Sequence, residues 1–205
     1  VLARGFARRG CDVVGVDVSA AQLEEARRLA AAERLGVEFR LASAEETGLA
    51  DASFDLVTAA QCWLYFDEAR TVAEVKRVLA PGGLLLTCHL NWLPRLDPVA
   101  RASEALVLRH NARWSAADGS GSVPPLPAWA DGRFDLTAMF VYDEPIPFTR
   151  ETWRGRFRAC RAIGATLAPD EVARFDAEHA RLLEVVVGER FAVLHRVDAH
   201  LFRPR

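Results

Sequence analysis

Lysine, methionine and tyrosine are scarce in this chain, which has one, one and two of them among 205 residues. Neither sign of charge dominates, since 26 basic side chains face 28 acidic ones and the formal net charge is −2. That balance argues against a nucleic-acid binder working by bulk positive charge, and 51% apolar content argues against disorder. No apolar run approaches the roughly 20 residues needed to cross a bilayer, and no signal-peptide pattern opens the chain. We therefore expect a globular, cytoplasmic protein that does not bind membranes.

Cysteine is also sparse and carries no metal-binding pattern. The four cysteines are scattered through the chain, without a CxxC pair and without a histidine at metal-ligand spacing. We expect free thiols in a reducing compartment and no metal site.

The first half of the chain alternates strands with helices. Short β-branched runs predict strands at Asp12–Val16, Val37–Leu41, Phe54–Ala59 and Leu84–Leu90. Capping and periodicity predict helices at Ser19–Leu35 and Glu68–Leu79, and Pro81-Gly82-Gly83 predicts a turn. This order is typical of the α/β class, and we expect a Rossmann-like, mostly parallel sheet with helices on both faces and its first strand buried on both faces.

The second half has a different pattern. It predicts helices at Arg95–Arg113, Thr149–Ile163 and Pro169–Val186, a mobile Gly/Pro-rich loop at Asp118–Asp131, and two strands. The strand Leu136–Asp143 is expected to end before Pro145 and Pro147, and Phe191–Phe202 to be a half-exposed antiparallel edge strand that comes last. We expect a core at residues 1–92, a helical and loop cap or lid inserted at 93–133, and residues 134–205 completing the sheet.

Asp17 is the first candidate functional residue. It stands at the carboxyl end of a predicted strand and just before a capped helix, where a carboxylate can accept hydrogen bonds from both hydroxyls of a ribose. An acid there is also often a structural cap. In dinucleotide folds it follows a glycine-rich loop by about 20 residues, and no GxGxG stands in this sequence. We therefore expect that loop, with the strand before it, to precede Val1.

The interpretation of Asp17 as a ribose-binding residue is strengthened by four segments that follow one another along the chain. They are Gly15–Ser19, Leu41–Glu45, Ser53–Val57 and Arg77–Gly83. Together they resemble the class I S-adenosylmethionine-dependent methyltransferases of the type 11-like group, without the N-terminal glycine motif. The stretch Ala59–Asp67 is similar to that of trans-aconitate methyltransferase relatives, where Leu64 replaces their histidine. The resemblance covers about Val1–Leu90 and implies S-adenosylmethionine as the cofactor.

By that resemblance, the cofactor-binding residues follow three strands. Asp17 would hold the ribose, and Val18 and Gln22 would flank the adenine. The remaining positions are Ser43, Ala44 and Glu45 along the adenine edge, and Ala60 and Gln61 beneath the methionine part. Relatives usually carry an aspartate at the position of Ser43.

Candidates for chemistry and for the methyl acceptor lie near strand ends, where open α/β sheets bind ligands. We expect His89 or Tyr65 to act if a base is needed, because methyl transfer itself requires mainly alignment of the nucleophile. The expected substrate-binding residues are Leu64, Asn91, Trp92, His110 and Trp114. Arg154, Arg158 and Arg161 share a helix face that either is solvated or anchors an acidic substrate.

Two other functions stay open at this point. Asp17 would suit an NAD-dependent oxidoreductase equally, although the sequence has no Tyr-x-x-x-Lys pair. The absent glycine loop and Leu64 would also suit a protein that keeps the fold and binds a cofactor or a partner but has lost catalytic activity. The expected reaction is methyl transfer to a small-molecule acceptor, with no nucleic acid as partner and a homodimer held open as the assembly.

Overall fold

A computed structural model describes all 205 residues, Val1–Arg205. Its helices are α1 (Leu2–Ala7), α2 (Ala20–Ala32), α3 (Glu68–Val78), α4 (Pro98–His110), α5 (Arg150–Arg158) and α6 (Pro169–Val186). Its strands are β1 (Val13–Asp17), β2 (Val37–Leu41), β3 (Phe54–Ala60), β4 (Leu79–Trp92), β5 (Phe134–Thr149) and β6 (Arg190–Pro204). Short 3-10 turns stand at Trp63–Tyr65 and Ala128–Ala130. None of the helices combines the length and apolar character that a membrane span requires.

The strands form two sheets. β1 pairs with β2 in parallel, and the other sheet has the order β3-β4-β6-β5, in which β3 and β4 are parallel. This confirms the predicted α/β class with parallel pairing. The expectation that the first strand is buried on both faces is wrong, since all five residues of β1 are only half-buried. The reason is that β1 has a strand neighbour on one side only.

The last two strands differ from the prediction. β6 lies between β4 and β5, so it is not an edge strand, and β5 takes the edge. β5 also continues past Pro145 and Pro147 and ends at Thr149, whereas the sequence predicted that it ends before these prolines. Proline lacks the N–H that an interior strand must donate, and an edge strand tolerates it because one of its sides has no partner.

The structure also differs from the prediction at one turn and at the ends of two helices. The turn at Pro81–Gly83 lies inside β4 as an irregularity, because Phe54 pairs with Leu79 and Leu56 already pairs with Leu84. α4 starts later than predicted because Asp97 caps it and Pro98 occupies its first turn. α5 ends at Arg158, well before Ile163, because the backbone folds back there so closely that a Cβ on Gly164 would overlap the Arg158 carbonyl oxygen.

The chain divides into two compact units. The first unit comprises Val1–Cys88, Pro125–Met139 and Ala199–Arg205, and the second comprises His89–Pro124 and Phe140–Asp198. The core of the first unit includes buried Trp63, Val75, Leu85, Phe134 and Phe202. The core of the second unit gathers α4, α5 and α6 around buried Leu106, Trp153, Phe157, Phe175 and Leu183. The division into core, cap and closing segment at 93 and 133 stays a prediction.

Candidate functional site

Asp17 stands where the sequence predicts it, at the carboxyl end of β1 opposite Leu41 of β2. One carboxylate oxygen accepts a hydrogen bond from the backbone N–H of Ser19 at 2.8 Å. Ser19 in turn caps α2, with its hydroxyl accepting from the Gln22 N–H. The strand-to-helix turn therefore fixes a half-buried carboxylate at the end of the strand and just before the helix.

Large apolar side chains are exposed around the ends of the first three strands. Val18 is 73% exposed directly after β1, and Leu41 is 62% exposed at the end of β2. Leu64 and Tyr65, in the 3-10 turn that follows β3, are each 60% exposed. Exposed apolar groups of this size mark binding surfaces when they cluster beside polar groups. The first unit thus presents apolar side chains and a carboxylate at strand ends, where open α/β sheets bind ligands.

The loop after β2 is tied to the start of α3. A carboxylate oxygen of Glu45 accepts from the backbone N–H of Asp67 at 2.9 Å, and Asp67 caps α3. That N–H is the main cause that holds the pKa of the Glu45 carboxyl below its usual range. Ser43 and Ala44 are half-buried beside it, and Ser43 makes an isolated bridge with Glu46. Glu45 therefore holds the loop in place through its own side chain.

The end of β3 approaches the end of β1. Ala60 pairs with Cys88, and the next residue, Gln61, has a positive φ of 59° while its N–H donates to the Cys88 carbonyl at 3.0 Å. Burial raises the pKa of the following Cys62 thiol, and the Asp17 carboxylate adds to that rise. The residues after β3 are therefore within electrostatic reach of the acid that ends β1.

In the second unit, His89 meets a partner that sequence reasoning did not identify. Its Nδ1 lies 2.9 Å from Oδ1 of Asp198 in β6. The Asp198 side chain is 4% exposed and the His89 side chain 31% exposed. A buried carboxylate therefore orients a histidine that solvent still reaches.

Trp92 is packed into the second unit's core, and Asn91 beside it is exposed. The Trp92 ring stacks on Phe157 and lies under the guanidinium of Arg156, 5.1 Å from the ring centre. Its indole N–H donates to Glu104 at 2.6 Å, and the other oxygen of Glu104 accepts from the Asp118 N–H. Burial raises the pKa of Glu104. Trp92 thus serves packing and anchors the start of the Gly/Pro-rich loop.

His110 and Trp114 lie near the end of α4. His110 Nε2 is 3.4 Å from a carboxylate oxygen of Glu178, and its ring contacts Phe175 edge-on. Trp114 borders an open cleft of about 310 Å³ together with Asn111, Arg113 and Arg161. The structure therefore places Trp114 and Arg161 in one cleft of the second unit.

The other two arginines of the predicted face are engaged elsewhere. Arg154 and Arg158 both donate to Asp176 of α6, and Arg158 also donates to Glu151. These hydrogen bonds raise the pKa of both guanidinium groups. Arg154 and Arg158 thus join α5 to α6, so the expectation of one arginine face that is either solvated or substrate-binding is wrong for them.

Sequence reasoning missed Asp198 and Glu104, and for different reasons. Asp198 lies just after the alternation of buried positions in β6 shifts by one residue, since the buried positions are Val193, His195, Asp198, His200 and Phe202. That shift depends on packing in the fold, so the sequence pattern does not show that Asp198 is buried. Glu104 lies on a helix that also carries the exposed Arg101 and Arg109, so its sequence context does not distinguish it from a solvated charge.

Three comparisons with known proteins agree on the family. The methyltransferase domain family matches residues 1–87. A demethylmenaquinone methyltransferase of Thermus thermophilus is 42% identical over 189 residues, which cover 92% of this chain and 67% of that relative. A protein of Anaeromyxobacter dehalogenans, provisionally assigned as a type II methyltransferase, shares the fold with a TM-score of 0.57 and 23% identity, over 95% of this chain and 80% of that one. The chain belongs to the class I S-adenosylmethionine-dependent methyltransferases.

Other relatives match a shorter stretch. An uncharacterized methyltransferase of Mycobacterium tuberculosis is 44% identical over 77 residues, which cover 38% of this chain and 30% of the relative. The chain thus aligns with less than a third of that relative's length. Family membership sets aside the oxidoreductase alternative, and the finer resemblance to trans-aconitate methyltransferase relatives stays a prediction.

Proposed function

We propose that this protein transfers the methyl group of S-adenosylmethionine to a small-molecule acceptor. The observation that carries the proposal is the end of β1, where the Asp17 carboxylate is held in place beside the exposed apolar side chains of Val18 and Leu41. A nucleoside needs such a pair of features, because its ribose hydroxyls donate hydrogen bonds and its base is a flat apolar surface.

The residues around this strand end fit the cofactor's chemistry. We propose that Asp17 binds the ribose, that Val18 and Gln22 flank the adenine, and that Ser43, Ala44 and Glu45 border its edge. The Glu45 carboxylate is engaged with the Asp67 N–H, so we assign it the role of holding this loop. Ala60 and Gln61 lie at the β3 end that approaches Asp17, and we propose that they border the methionine part.

When bound, S-adenosylmethionine supplies a methyl group already activated by a positively charged sulfur. The protein then has to align the acceptor atom and to take up a proton where the acceptor carries one. We propose His89 for the proton because it is half-buried and oriented by a carboxylate, with Tyr65 as the second candidate. Leu64, Asn91, Trp92, His110 and Trp114 remain the proposed acceptor-side residues, and Trp92 acts there through packing.

Methyl transfer from labelled S-adenosylmethionine tests the proposal. The full-length protein is incubated with methyl-labelled cofactor and a panel of small acceptors, including a naphthoquinol because the Thermus relative is named for demethylmenaquinone. We expect labelled product with at least one acceptor, and a loss of at least tenfold in the Asp17→Ala variant. Asp12→Ala removes an exposed acid just before β1 and is the matched control, with activity unchanged.

Two outcomes would contradict this function. Binding of S-adenosylhomocysteine without labelled product from any acceptor would favour a protein that binds the cofactor but has lost catalytic activity, which Leu64 in place of a histidine also favours. Absence of both binding and product would reject the cofactor. A cytoplasmic location and a homodimer remain part of the proposal, and a molar-mass measurement in solution tests the latter.

A further inference from the structure

The contact between His89 and Asp198 joins two residues that are 109 positions apart in the chain. Both belong to the second unit, His89 on β4 and Asp198 on β6. At 2.9 Å the Nδ1 and Oδ1 atoms are at hydrogen-bond distance. The Asp198 side chain is 4% exposed, so few water molecules compete for this oxygen.

The chemistry of the two groups fixes the direction of this hydrogen bond. An ionised carboxylate only accepts, so Nδ1 of a neutral imidazole must carry the hydrogen, and Nε2 keeps its lone pair. The His89 side chain is 31% exposed, which leaves room for a ligand to reach the ring. The geometry is thus that of a base whose tautomer is set by a carboxylate behind it.

We propose that Asp198 is a positioning residue that holds His89 as its Nδ1–H tautomer, so that Nε2 takes a proton from a hydroxyl of the acceptor. This inference rests on the proposed function and names its substrate class: an alcohol or phenol that is protonated when it binds. A sulfide or a preformed anion would need no such base.

The proton and electron pairs balance in this step. The acceptor's O–H proton moves to Nε2 and forms an imidazolium, which the Asp198 carboxylate stabilises. An electron pair of the acceptor oxygen forms the new bond to the methyl carbon. The bond between that carbon and sulfur breaks at the same time, and its electron pair stays on sulfur. The exposed edge of His89 then returns the proton to water.

The tautomer can be measured without knowing the acceptor. Nitrogen-15 correlation spectra of histidine-labelled protein at pH 9, well above the ordinary imidazole pKa, report which ring nitrogen carries hydrogen. His89→Gln assigns the His89 signals among the five histidines. We expect Nδ1–H in the wild type and a shift to Nε2–H in Asp198→Ala. Asp97→Asn, which alters another buried aspartate of the same unit, should leave the tautomer unchanged.

Kinetics give the second readout, with a hydroxyl acceptor from the labelled-methyl screen. We expect His89→Gln to lower kcat about a hundredfold or more, the usual contribution of a general base. Asp198→Ala should lower kcat by at least tenfold, and neither change should alter S-adenosylhomocysteine affinity more than about twofold.

Failure of this inference is separable from failure of the proposed function. Nε2–H in the wild type, or an unchanged tautomer in Asp198→Ala, would overturn the role of Asp198 even if the protein methylates an acceptor. If the Asp198→Ala variant does not fold, the wild-type spectrum alone tests the proposed tautomer. If the wild type does not bind S-adenosylhomocysteine, the proposed function fails first.

Discussion

His179 shows how burial changes the chemistry of a single residue. It is fully buried on α6, and its Nε2 lies 3.0 Å from the Ser103 hydroxyl, which also accepts the indole N–H of Trp153. The Ser103 hydroxyl thus links two buried rings, and the other ring nitrogen of His179, Nδ1, is buried without a hydrogen-bond partner. Burial lowers the pKa of His179 to about 4. This residue therefore serves the core of the second unit.

This lowered pKa predicts a loss of stability in acid. The unfolded chain takes up a proton on His179 near pH 6.5, whereas the folded chain does so only near pH 4. The stabilisation is complete above pH 6.5 and falls as the pH drops toward about 4, by about 3 kcal/mol in all. Urea unfolding across this range should show the fall in the wild type and a smaller fall in His179→Gln.

The control for this experiment is Ser19→Ala, which alters no titratable group. Its unfolding free energy should keep the wild-type dependence on pH through this window. An equal fall in the wild type and in His179→Gln would contradict the assignment to His179.

The sequence predicts the roles of some residues better than those of others. Asp17 could be predicted because its role depends on its neighbours in sequence, the strand before it and the capped helix after it. Asp198 could not be paired with His89, because the strand order that brings them together is a long-range property. The roles of Asp17 and His89 stay predictions until binding and kinetics are measured.

At the scale of elements, Asp97 connects the start of α4 to β6. One of its oxygens accepts from the N–H groups of Val99 and Ala100, both at 2.9 Å. The other accepts from the Leu194 N–H of β6 at 2.9 Å. One buried carboxylate thus caps a helix and also fixes a strand beside it.

We expect Asp97→Ala to lower the free energy of unfolding by about 3 kcal/mol, because it removes a helix cap and leaves a further backbone N–H without its partner. Ser19→Ala removes only the cap of α2 and should cost about 1 kcal/mol. Chemical denaturation of both variants measures the difference. Equal losses in the two variants would show that the Leu194 contact contributes nothing.

Elements with strong local signals were predicted well. Val37–Leu41 is a strand with the predicted bounds, and α6 runs from Pro169 to Val186 as its proline and apolar stripe indicate. The start of α4 was misplaced although its cap, Asp97, is local, and the errors in the last two strands concern which strand pairs with which. Whether β5 can hold two prolines depends on its place at the edge, and whether β6 is an edge depends on β5.

At the scale of the whole molecule, the order of the short motifs along the chain is enough to indicate the family. Each motif is weak by itself, but their order and spacing follow the alternation of strands and helices, which the fold confirms. The break between the two sheets and the division into two units could not be predicted, since both depend on contacts between distant parts of the chain. The acceptor is likewise determined by side chains from distant parts of the chain.

Calorimetric titration of the full-length protein with S-adenosylhomocysteine is the sharpest test of the cofactor site at the end of β1. We predict binding by the wild type, an affinity at least tenfold lower in Asp17→Ala, about 1.4 kcal/mol, and no change in Asp12→Ala. We also predict no binding of NAD in the same cell. Binding of NAD without S-adenosylhomocysteine, or an unchanged affinity in a folded Asp17→Ala variant, would contradict this assignment.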